Sequence, residues 1–205
     1  MLSIYWLYDK KTYIFKNYSK FMDFELNGTY IKLKKGDITE EKCDAIVNAA
    51  NSSLMGGGGV DGAIHRKAGK KLDEECLKIR KEKYLDGLPT GEAVITTGGN
   101  LRAKFVIHTV GPIWKGGEYK EKELLKNCFS NSLKLALDNG LKSIAFPAIS
   151  TGAYGFPMDK ASEASIKAIY EFLNENPNRL REICIVLFTD DAYENFEKAL
   201  KKIMK

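Results

Sequence analysis

The chain has 205 residues, 44% of them hydrophobic and 29% charged, and carries a net charge of +5. This length fits one globular domain whose core is large enough to fold without disulfides or a structural metal. The first apolar stretch, Met1–Tyr8, is too short to span a membrane and has no basic leader or cleavage site. We therefore expect a cytoplasmic protein with no membrane partner, and the positive charge favours an anionic partner, either RNA or a phosphorylated small molecule.

Strands alternate with helices from Tyr30 onwards, whereas residues 1–29 show no long period and are interpreted as an N-terminal extension of unknown role. The predicted strands are Tyr30–Lys34, Asp44–Asn48, Ala93–Thr97, Phe105–Val110, Ser143–Pro147 and Ile183–Phe188. This alternation predicts one α/β domain over 30–205, built as a three-layer α/β/α sandwich.

Five helices are predicted, three of them from apolar stripes and end signals. They cover about 60–68, 69–83, 120–138 and 159–175, and the last begins near Asp190 or Asp191. Gly140 is expected to stop the third helix and Asp159 to cap the fourth. The four cysteines, which form no CxxC pair, are expected to be free and mostly buried thiols: Cys43, Cys76, Cys128 and Cys184.

A run of four glycines, Gly56–Gly59, precedes the first predicted helix. Glycines let backbone amides converge, and such a nest at a helix N-terminus attracts phosphate, although a flexible surface loop is the plain alternative. Asn51, Asp61 and His65 flank this run, and Asp61 and His65 share a helix face because they are four residues apart. Asp61 is suited to orient a hydroxyl or a water, and His65 either orients that carboxylate or has a structural role.

A dinucleotide-binding loop is the rival interpretation of this segment, because Gly57, Gly59 and Gly62 satisfy the pattern GxGxxG. In that fold the motif follows its strand directly and an acidic residue ends the next strand about 20 residues later. Here Ala49–Met55 intervene, and Lys78–Lys83 looks helical and basic. No GxxxxGK[ST] motif is present, so neither a dehydrogenase nor a nucleoside triphosphatase is favoured.

A second small-residue loop follows the strand that ends at Pro147. Ser150 and Thr151 offer hydroxyl donors there, and Tyr154 lies between two glycines, where it either packs on a sugar or belongs to the core. Two such loops from two strands can hold a pyrophosphate between them, since ligands bind at the carboxyl ends of strands in open α/β sheets. After the first strand, Asp37 either accepts a hydrogen bond from an exocyclic amine or is an ordinary turn residue.

Four stretches in this order resemble the macrodomain family, and specifically its MacroD-like branch. They are GDIT at 36–39, NAANSSLMGGGGVDGAIHRKAG at 48–69, VIHTVGPIW at 106–114 and AFPAISTGAYGFP at 145–157. The resemblance covers about residues 30–200. It implies a mixed, mostly parallel six-stranded sheet and a cleft for ADP-ribose.

The resemblance also implies residue roles along that cleft. Asp37, the Ile38 amide and Phe188 would contact adenine. The diphosphate would be held by backbone amides of two loops, at Gly58, Gly59 and Val60 and at Ser150, Thr151, Gly152, Ala153 and Tyr154. Asn51 and Asp61 would address the distal ribose with His65 as support, and Tyr154 would pack on that sugar.

The activity implied by the resemblance is hydrolysis of esters of the distal ribose, in O-acetyl-ADP-ribose or in ADP-ribose attached to acidic side chains of proteins. Two alternatives remain open, a non-catalytic reader of ADP-ribosylated proteins and, ranked last, an RNA-binding module. Nucleic acid is otherwise expected only as an ADP-ribosylated substrate. No cofactor is expected, and no metal either, because zinc-dependent macrodomains carry extra Cys and His ligands whereas this chain has only His65 and His108.

Overall fold

The computed structural model describes residues 16–18 and 21–204, with side chains from residue 23 onwards. Its elements are β1 Lys16–Tyr18, β2 Phe21–Leu26, β3 Thr29–Lys35, β4 Ala45–Ala50, α1 Gly59–Ala68, α2 Lys70–Lys83, β5 Ala93–Thr97, β6 Phe105–Val110, α3 Glu121–Asp138, β7 Ser143–Phe146, α4 Met158–Glu175, β8 Glu182–Leu187 and α5 Asp190–Ile203. A single 3₁₀ turn, Ile38–Glu40, follows β3. Among the described residues, none of the helices is long and apolar enough to cross a bilayer.

The strands form one sheet in the order β1-β2-β3-β8-β7-β4-β6-β5. The five strands from β3 to β6 in this order run parallel, while β1, β2 and β5 add antiparallel pairings at the two edges. All six predicted strands are present, and the predicted fold class is confirmed. The sheet is wider than predicted, because eight strands rather than six take part among the described residues.

Strand β2 lies upstream of the predicted domain start at Tyr30. It pairs with β3 along its whole length, and Phe24 and Leu26 are fully buried in the same core cluster as the later strands. Apolar and acidic residues alternate over 23–26, but the alternation is too short to stand out in the sequence. The packed unit therefore includes 21–29, and β1 at 16–18 pairs with β2 in the same sheet. Residues 1–15, 19 and 20 of the predicted extension lie outside the described residues.

Helices cover both faces of the sheet and create two cores. Helices α1 and α2 pack on one face over a smaller cluster that includes Ile46, Ile64 and Val106. Helices α3, α4 and α5 pack on the other face over a larger cluster. The four cysteines are free thiols, three of them buried, as predicted.

Two of the predicted helix ends can be compared with the structure. Gly140 follows the end of α3 with a φ of 69°, as expected of a glycine stop. The predicted cap of α4 is wrong: Pro157 is the N-cap residue, it makes no side-chain capping bond, and Asp159 lies inside the first turn. A carboxylate there still interacts favourably with the helix dipole, which explains why the sequence pattern looked like a cap.

The larger core depends on a stacked pair, Phe129 on α3 and Phe146 on β7, whose ring centroids are 4.7 Å apart. Both side chains are fully buried. We expect Phe129→Ala to lower the free energy of unfolding by about 3–5 kcal/mol, because it removes apolar contact area and leaves a cavity. Urea unfolding measures this change.

The matched control is Phe188→Ala, because Phe188 is 80% exposed. It should change the free energy of unfolding by no more than about 0.5 kcal/mol, as is usual at exposed positions. Equal destabilisation by both variants would contradict this account of the core.

Candidate functional site

The candidate site lies where the five parallel strands end. In spatial order across the sheet, Asp37 follows β3, Phe188 follows β8, Ser150 follows β7, Asn51 follows β4 and Gly111 follows β6. Neighbouring strands lie about 4.8 Å apart, so these positions span roughly 19 Å. The sheet thus places the predicted site residues along one edge in an order that suits a long, narrow ligand.

The β3–β8 end of this edge presents an exposed ring beside a carboxylate. Phe188 is 80% exposed, which is unusual for a phenylalanine, and Ile38, the first residue of the 3₁₀ turn, is buried. Asp37 is exposed, and one of its carboxylate oxygens accepts the amide of Thr39 at 2.9 Å. The carboxylate has further lone pairs for a donor. This arrangement can stack a flat aromatic ring and accept a hydrogen bond from its amine.

The glycine turn at the start of α1 leaves the end of that helix free for an anion. Gly58 is the N-cap residue and has no side chain to satisfy the first-turn amides. Gly56 and Gly59 have φ values of 77° and 57°, which only glycine adopts at little cost. Val60, the next residue, is partly buried. The unsatisfied amides and the positive end of the helix dipole favour a phosphate here.

A second turn, Ser150–Gly155, lies at the end of β7. Ser150 has a φ of 67°, in the left-handed region that serine rarely adopts, while Gly152 and Ala153 are exposed. The Thr151 hydroxyl donates to the carbonyl of Ala148 at 2.8 Å, within its own turn. Ser150 Oγ is buried without a hydrogen-bond partner. The exposed backbone of this turn is therefore the part that is available to a ligand.

Contacts with the loop after β6 hold this second turn in place. Gly111 leaves the space that the Ser150 side chain fills, since a Cβ on Gly111 would lie 2.1 Å from Ser150 Oγ. The Tyr154 carbonyl accepts the amide of Trp114 at 2.8 Å, and the Trp114 ring packs on Phe156 at 4.5 Å. Tyr154 itself is partly buried rather than part of the core. The loops after β6 and β7 thus form one wall of the strand-end edge.

Asn51 and Asp61 meet beside the glycine turn. Asn51 Nδ2 donates to the carbonyl of Gly56 at 2.8 Å and lies 3.4 Å from Asp61 Oδ2. Asn51 Oδ1 accepts the amide of Ser53 at 2.9 Å, which fixes the orientation of the side chain. Asp61 is only 5% exposed. An amide and a nearly buried carboxylate therefore stand together at the end of β4.

His65 lies between two carboxylates, one turn along α1 from Asp61. Its Nε2 is 3.4 Å from Asp61 Oδ1, and its Nδ1 is 2.6 Å from Asp73 Oδ1. The carboxylate of Asp61, and after it that of Asp73, raises the pKa of His65 above its usual value, against the opposing effect of burial. A protonated His65 would partly offset the negative charge of Asp61 beside an anionic ligand.

A buried chain of polar side chains behind Asp61 was not assigned a role from the sequence. Asn48 Nδ2 donates to Asp61 Oδ1 at 2.7 Å and lies 3.1 Å from His108 Nδ1. His108 Nε2 is 2.9 Å from Thr96 Oγ1. The available signal was the presence of polar side chains inside otherwise apolar strands, since such groups are buried only with hydrogen-bond partners.

The fold also brings together three side chains that are able to bind metals. Donor atoms of His65, Cys76 and His108 all lie within 4.8 Å of one another, and all three residues are buried. Ligands of a tetrahedral zinc would lie only about 3.3–3.8 Å apart, given metal–ligand distances of about 2.0–2.3 Å. His108 Nε2 already faces the Thr96 hydroxyl at 2.9 Å. Cys76 Sγ lies 3.7 Å from His108 Nε2. The sequence spacing gave no sign that these three side chains would meet.

The two histidines make opposite contributions to the pH dependence of stability. Burial lowers the pKa of His108 from 6.5 to about 3. Below pH 6.5 the unfolded chain therefore binds a proton that the folded chain does not, and the stability that neutral His108 gives above pH 6.5 is lost as the pH falls towards 3. The raised pKa of His65 gives a contribution that is present below pH 6.5 and is lost as the pH rises through its folded value. Of these two contributions, only that of His108 changes between pH 6.5 and 5.

We therefore expect the free energy of unfolding to decrease as the pH is lowered from 6.5 to 5, by up to about 1.4 kcal/mol per pH unit. His108→Asn should remove this slope, because asparagine does not titrate. Urea unfolding at pH 7, 6.5, 6, 5.5 and 5 measures both proteins. The same slope in both would show that His108 is not the group responsible.

The fold and the site together define an α/β protein with a candidate anion site at the carboxyl ends of its parallel strands. Comparison with known proteins gives the class. The family model described as Macro domain matches residues 47–165. The O-acetyl-ADP-ribose deacetylase of Escherichia fergusonii is 56% identical over 156 residues, which are 75% of this chain and 87% of that protein.

Solved structures agree with this class. The Oceanobacillus iheyensis macrodomain with ADP has a TM-score of 0.86 at 43% identity, covering 90% of this chain and 96% of that one. The Trypanosoma brucei macrodomain in complex with ADP-ribose has a TM-score of 0.75 at 42% identity, covering 83% and 68%. The chain belongs to the Macro domain family, which confirms the resemblance inferred from its four motifs.

Proposed function

We propose that this protein binds ADP-ribose along the strand-end edge and hydrolyses ester-linked groups from the distal ribose. The substrates would be O-acetyl-ADP-ribose, mono-ADP-ribosylated proteins or both. The observation that carries the proposal is the pairing of Asn51 with Asp61 at 3.4 Å beside the uncapped N-terminus of α1. The names of the relatives, a deacetylase of O-acetyl-ADP-ribose and macrodomains with ADP or ADP-ribose, support the same substrate class.

In this proposal the ligand follows the order of the strand ends. Adenine stacks on Phe188, with its exocyclic amine donating to Asp37 and its ring at the Ile38 amide. The diphosphate lies between the two turns and accepts hydrogen bonds from their backbone amides. These amides belong to Gly58, Gly59, Val60, Ser150, Thr151, Gly152, Ala153 and Tyr154. The distal ribose then reaches Asn51 and Asp61, with Tyr154 against the sugar.

The proposed chemistry is attack of water on the carbonyl carbon of the ester. Asp61 orients this water or takes its proton as the new carbon–oxygen bond forms, while Asn51 fixes a ribose hydroxyl. The ester bond to the ribose oxygen then breaks, and that oxygen leaves as a hydroxyl after receiving a proton. The bound diphosphate helps to hold the water, so the substrate assists its own hydrolysis. Positioning and general-base catalysis carry the rate, and the latter typically contributes about 10²–10⁴-fold.

Calorimetry with ADP-ribose and a release assay test the proposal. Saturable binding of ADP-ribose, together with loss of label from an automodified protein and deacetylation of O-acetyl-ADP-ribose, is the expected result. Binding without release from either substrate would instead identify a reader of ADP-ribosylated proteins. Absence of ADP-ribose binding would overturn the whole assignment.

A further inference from the structure

A buried hydrogen-bonded chain supports Asp61 from below. It consists of Asn48 on β4, His108 on β6 and Thr96 on β5, and we call it the Asn48–His108–Thr96 chain. Asn48 and His108 are fully buried, and Thr96 is 4% exposed. Asn48 and His108 are direct neighbours in the pairing of β4 with β6, so the sheet itself sets their separation. Within the described part of the protein, the side-chain hydrogen bonds of this chain do not go to either of the two turns proposed to hold the diphosphate.

The protons of this chain can be assigned from its hydrogen bonds. The Asn48 amide nitrogen has two protons, one for Asp61 Oδ1 at 2.7 Å and one for His108 Nδ1 at 3.1 Å. His108 Nδ1 must therefore be an unprotonated acceptor, and burial keeps the ring neutral by lowering its pKa to about 3. Its proton then lies on Nε2 and points to Thr96 Oγ1 at 2.9 Å, whose hydroxyl donates to the Thr97 carbonyl at 3.1 Å.

The chain determines which oxygen of Asp61 faces the ligand. Oδ1 is held by Asn48, so the carboxylate cannot turn freely about its last bond. Oδ2 is 3.4 Å from Asn51 Nδ2, and it faces the glycine turn, since a Cβ on Gly57 would lie 3.2 Å from it. Oδ2 is therefore the oxygen available to a water or a ribose hydroxyl.

We propose that Asn48 and His108 are positioning residues that hold Asp61 with its Oδ2 directed at the distal ribose. This inference rests on the proposed function. His108 acts through Asn48, and Asn48 acts through Asp61, without contact with the substrate. Without Asn48, Oδ1 keeps only its longer contact with His65 Nε2, at 3.4 Å, and the carboxylate is no longer held in one orientation. Loss of this orientation lowers the rate of the chemical step more than it weakens binding.

Two variants of His108 test the proposal, one that removes the hydrogen-bond acceptor and one that restores it. His108→Leu removes the acceptor for the Asn48 amide, whereas the side-chain oxygen of His108→Asn can replace Nδ1. We expect His108→Leu to lower kcat for ester hydrolysis at least about tenfold, with KM and the Kd for ADP-ribose within about threefold of wild type. His108→Asn should recover most of kcat. A purely structural role would not give this rescue together with an unchanged KM.

Thermal unfolding and ADP-ribose calorimetry show first that each variant is folded. A folded His108→Leu protein with wild-type kcat overturns the proposal. Should that variant fail to fold, Asn48→Leu, which removes the donor to Oδ1 at similar volume, takes its place with the same expected split between kcat and KM. Thr96→Val, at the far end of the chain, is the graded control and should lower kcat less than either.

A measurement without turnover separates this inference from the proposed function. ¹⁵N NMR of the wild-type ring should show His108 neutral and protonated on Nε2 throughout pH 5–8, and a proton on Nδ1 would overturn the assignment. Absence of hydrolysis in the wild type would overturn the proposed function alone. The Asn48 side-chain amide would then test the positioning role by itself. Its resonances should shift and broaden in His108→Leu and recover in His108→Asn. Unchanged resonances in His108→Leu would overturn the positioning role.

Discussion

Asp61→Ala is expected to bind ADP-ribose within a few fold of wild type and to lose most of its ester hydrolysis. The carboxylate is the candidate group for orienting or deprotonating water, and such a group typically contributes about 10²–10⁴-fold. Binding should persist because, in the proposed function, the diphosphate and adenine contacts come from the two turns and from Phe188. Calorimetry measures the affinity, and a label-release assay measures the turnover.

The matched control for this variant is Asp159→Ala. Asp159 is also a carboxylate in the first turn of a helix, but it is exposed and lies on α4. It should leave both affinity and turnover within about twofold, as expected of an exposed substitution outside the site. Unchanged turnover in Asp61→Ala would remove Asp61 from the mechanism while leaving the binding proposal intact.

Gly62→Ala is expected to weaken ADP-ribose binding at least about tenfold without unfolding the protein. A Cβ at this position would lie 2.2 Å from the Gly57 carbonyl oxygen, so the glycine turn would have to move away from α1. The helix itself tolerates the change, because alanine favours helix by about 1 kcal/mol over glycine. Calorimetry for affinity and thermal unfolding for stability measure the two effects separately.

Gly36→Ala is the control for Gly62→Ala. A Cβ there would meet only the flexible end of Lys34, at 3.9 Å, and the φ of Gly36 is not in the left-handed region. Its affinity for ADP-ribose should match that of wild type. Equal loss in both variants would mean that the position of the glycine turn does not control the binding.

The placement of a carboxylate beside a proposed diphosphate site has a physical explanation in the surrounding charges. Two N–H donors approach Asp61, from Asn48 at 2.7 Å and from Asn51 at 3.4 Å. His65 lies 3.4 Å away, and its pKa is raised by this carboxylate. Asp61 also lies in the first turn of α1, where the helix dipole favours negative charge. These groups place N–H donors and positive charge around the carboxylate, which reduces its repulsion of an anionic ligand.

The second turn contains a strained residue, Ser150. Ser150 has a left-handed φ, and its hydroxyl is buried without a partner. Both features are unfavourable in isolation, and strained residues of this kind persist only where the surrounding structure fixes them. Here Gly111 leaves room for the side chain, and the amide of Phe156 bonds to the Ser150 carbonyl at 3.0 Å. The strained conformation exposes the backbone of the following residues.

Much of the fold was readable from local patterns in the sequence. Several of the six predicted strands are continuous runs of β-branched or aromatic residues, and three of the helices have an apolar stripe, so most of the elements and their order follow from periodicity. Strand β2 was missed because its alternation of Phe24 and Leu26 with acidic neighbours covers too few residues to rise above the surrounding sequence. The cap of α4 was misplaced because an acidic residue is favourable both at a helix cap and within the first turn.

The sequence by itself determined the fold class, the glycine turn and the pairing of Asp61 with His65, because these depend on neighbours a few residues apart. Only the tertiary structure decided that Asn48, His108 and Thr96 form a chain behind Asp61, and that Cys76 lies near both histidines. Those contacts join residues on five different elements. Their distances are set by how strands pair and helices pack on the sheet, and that geometry is not contained in any one local segment.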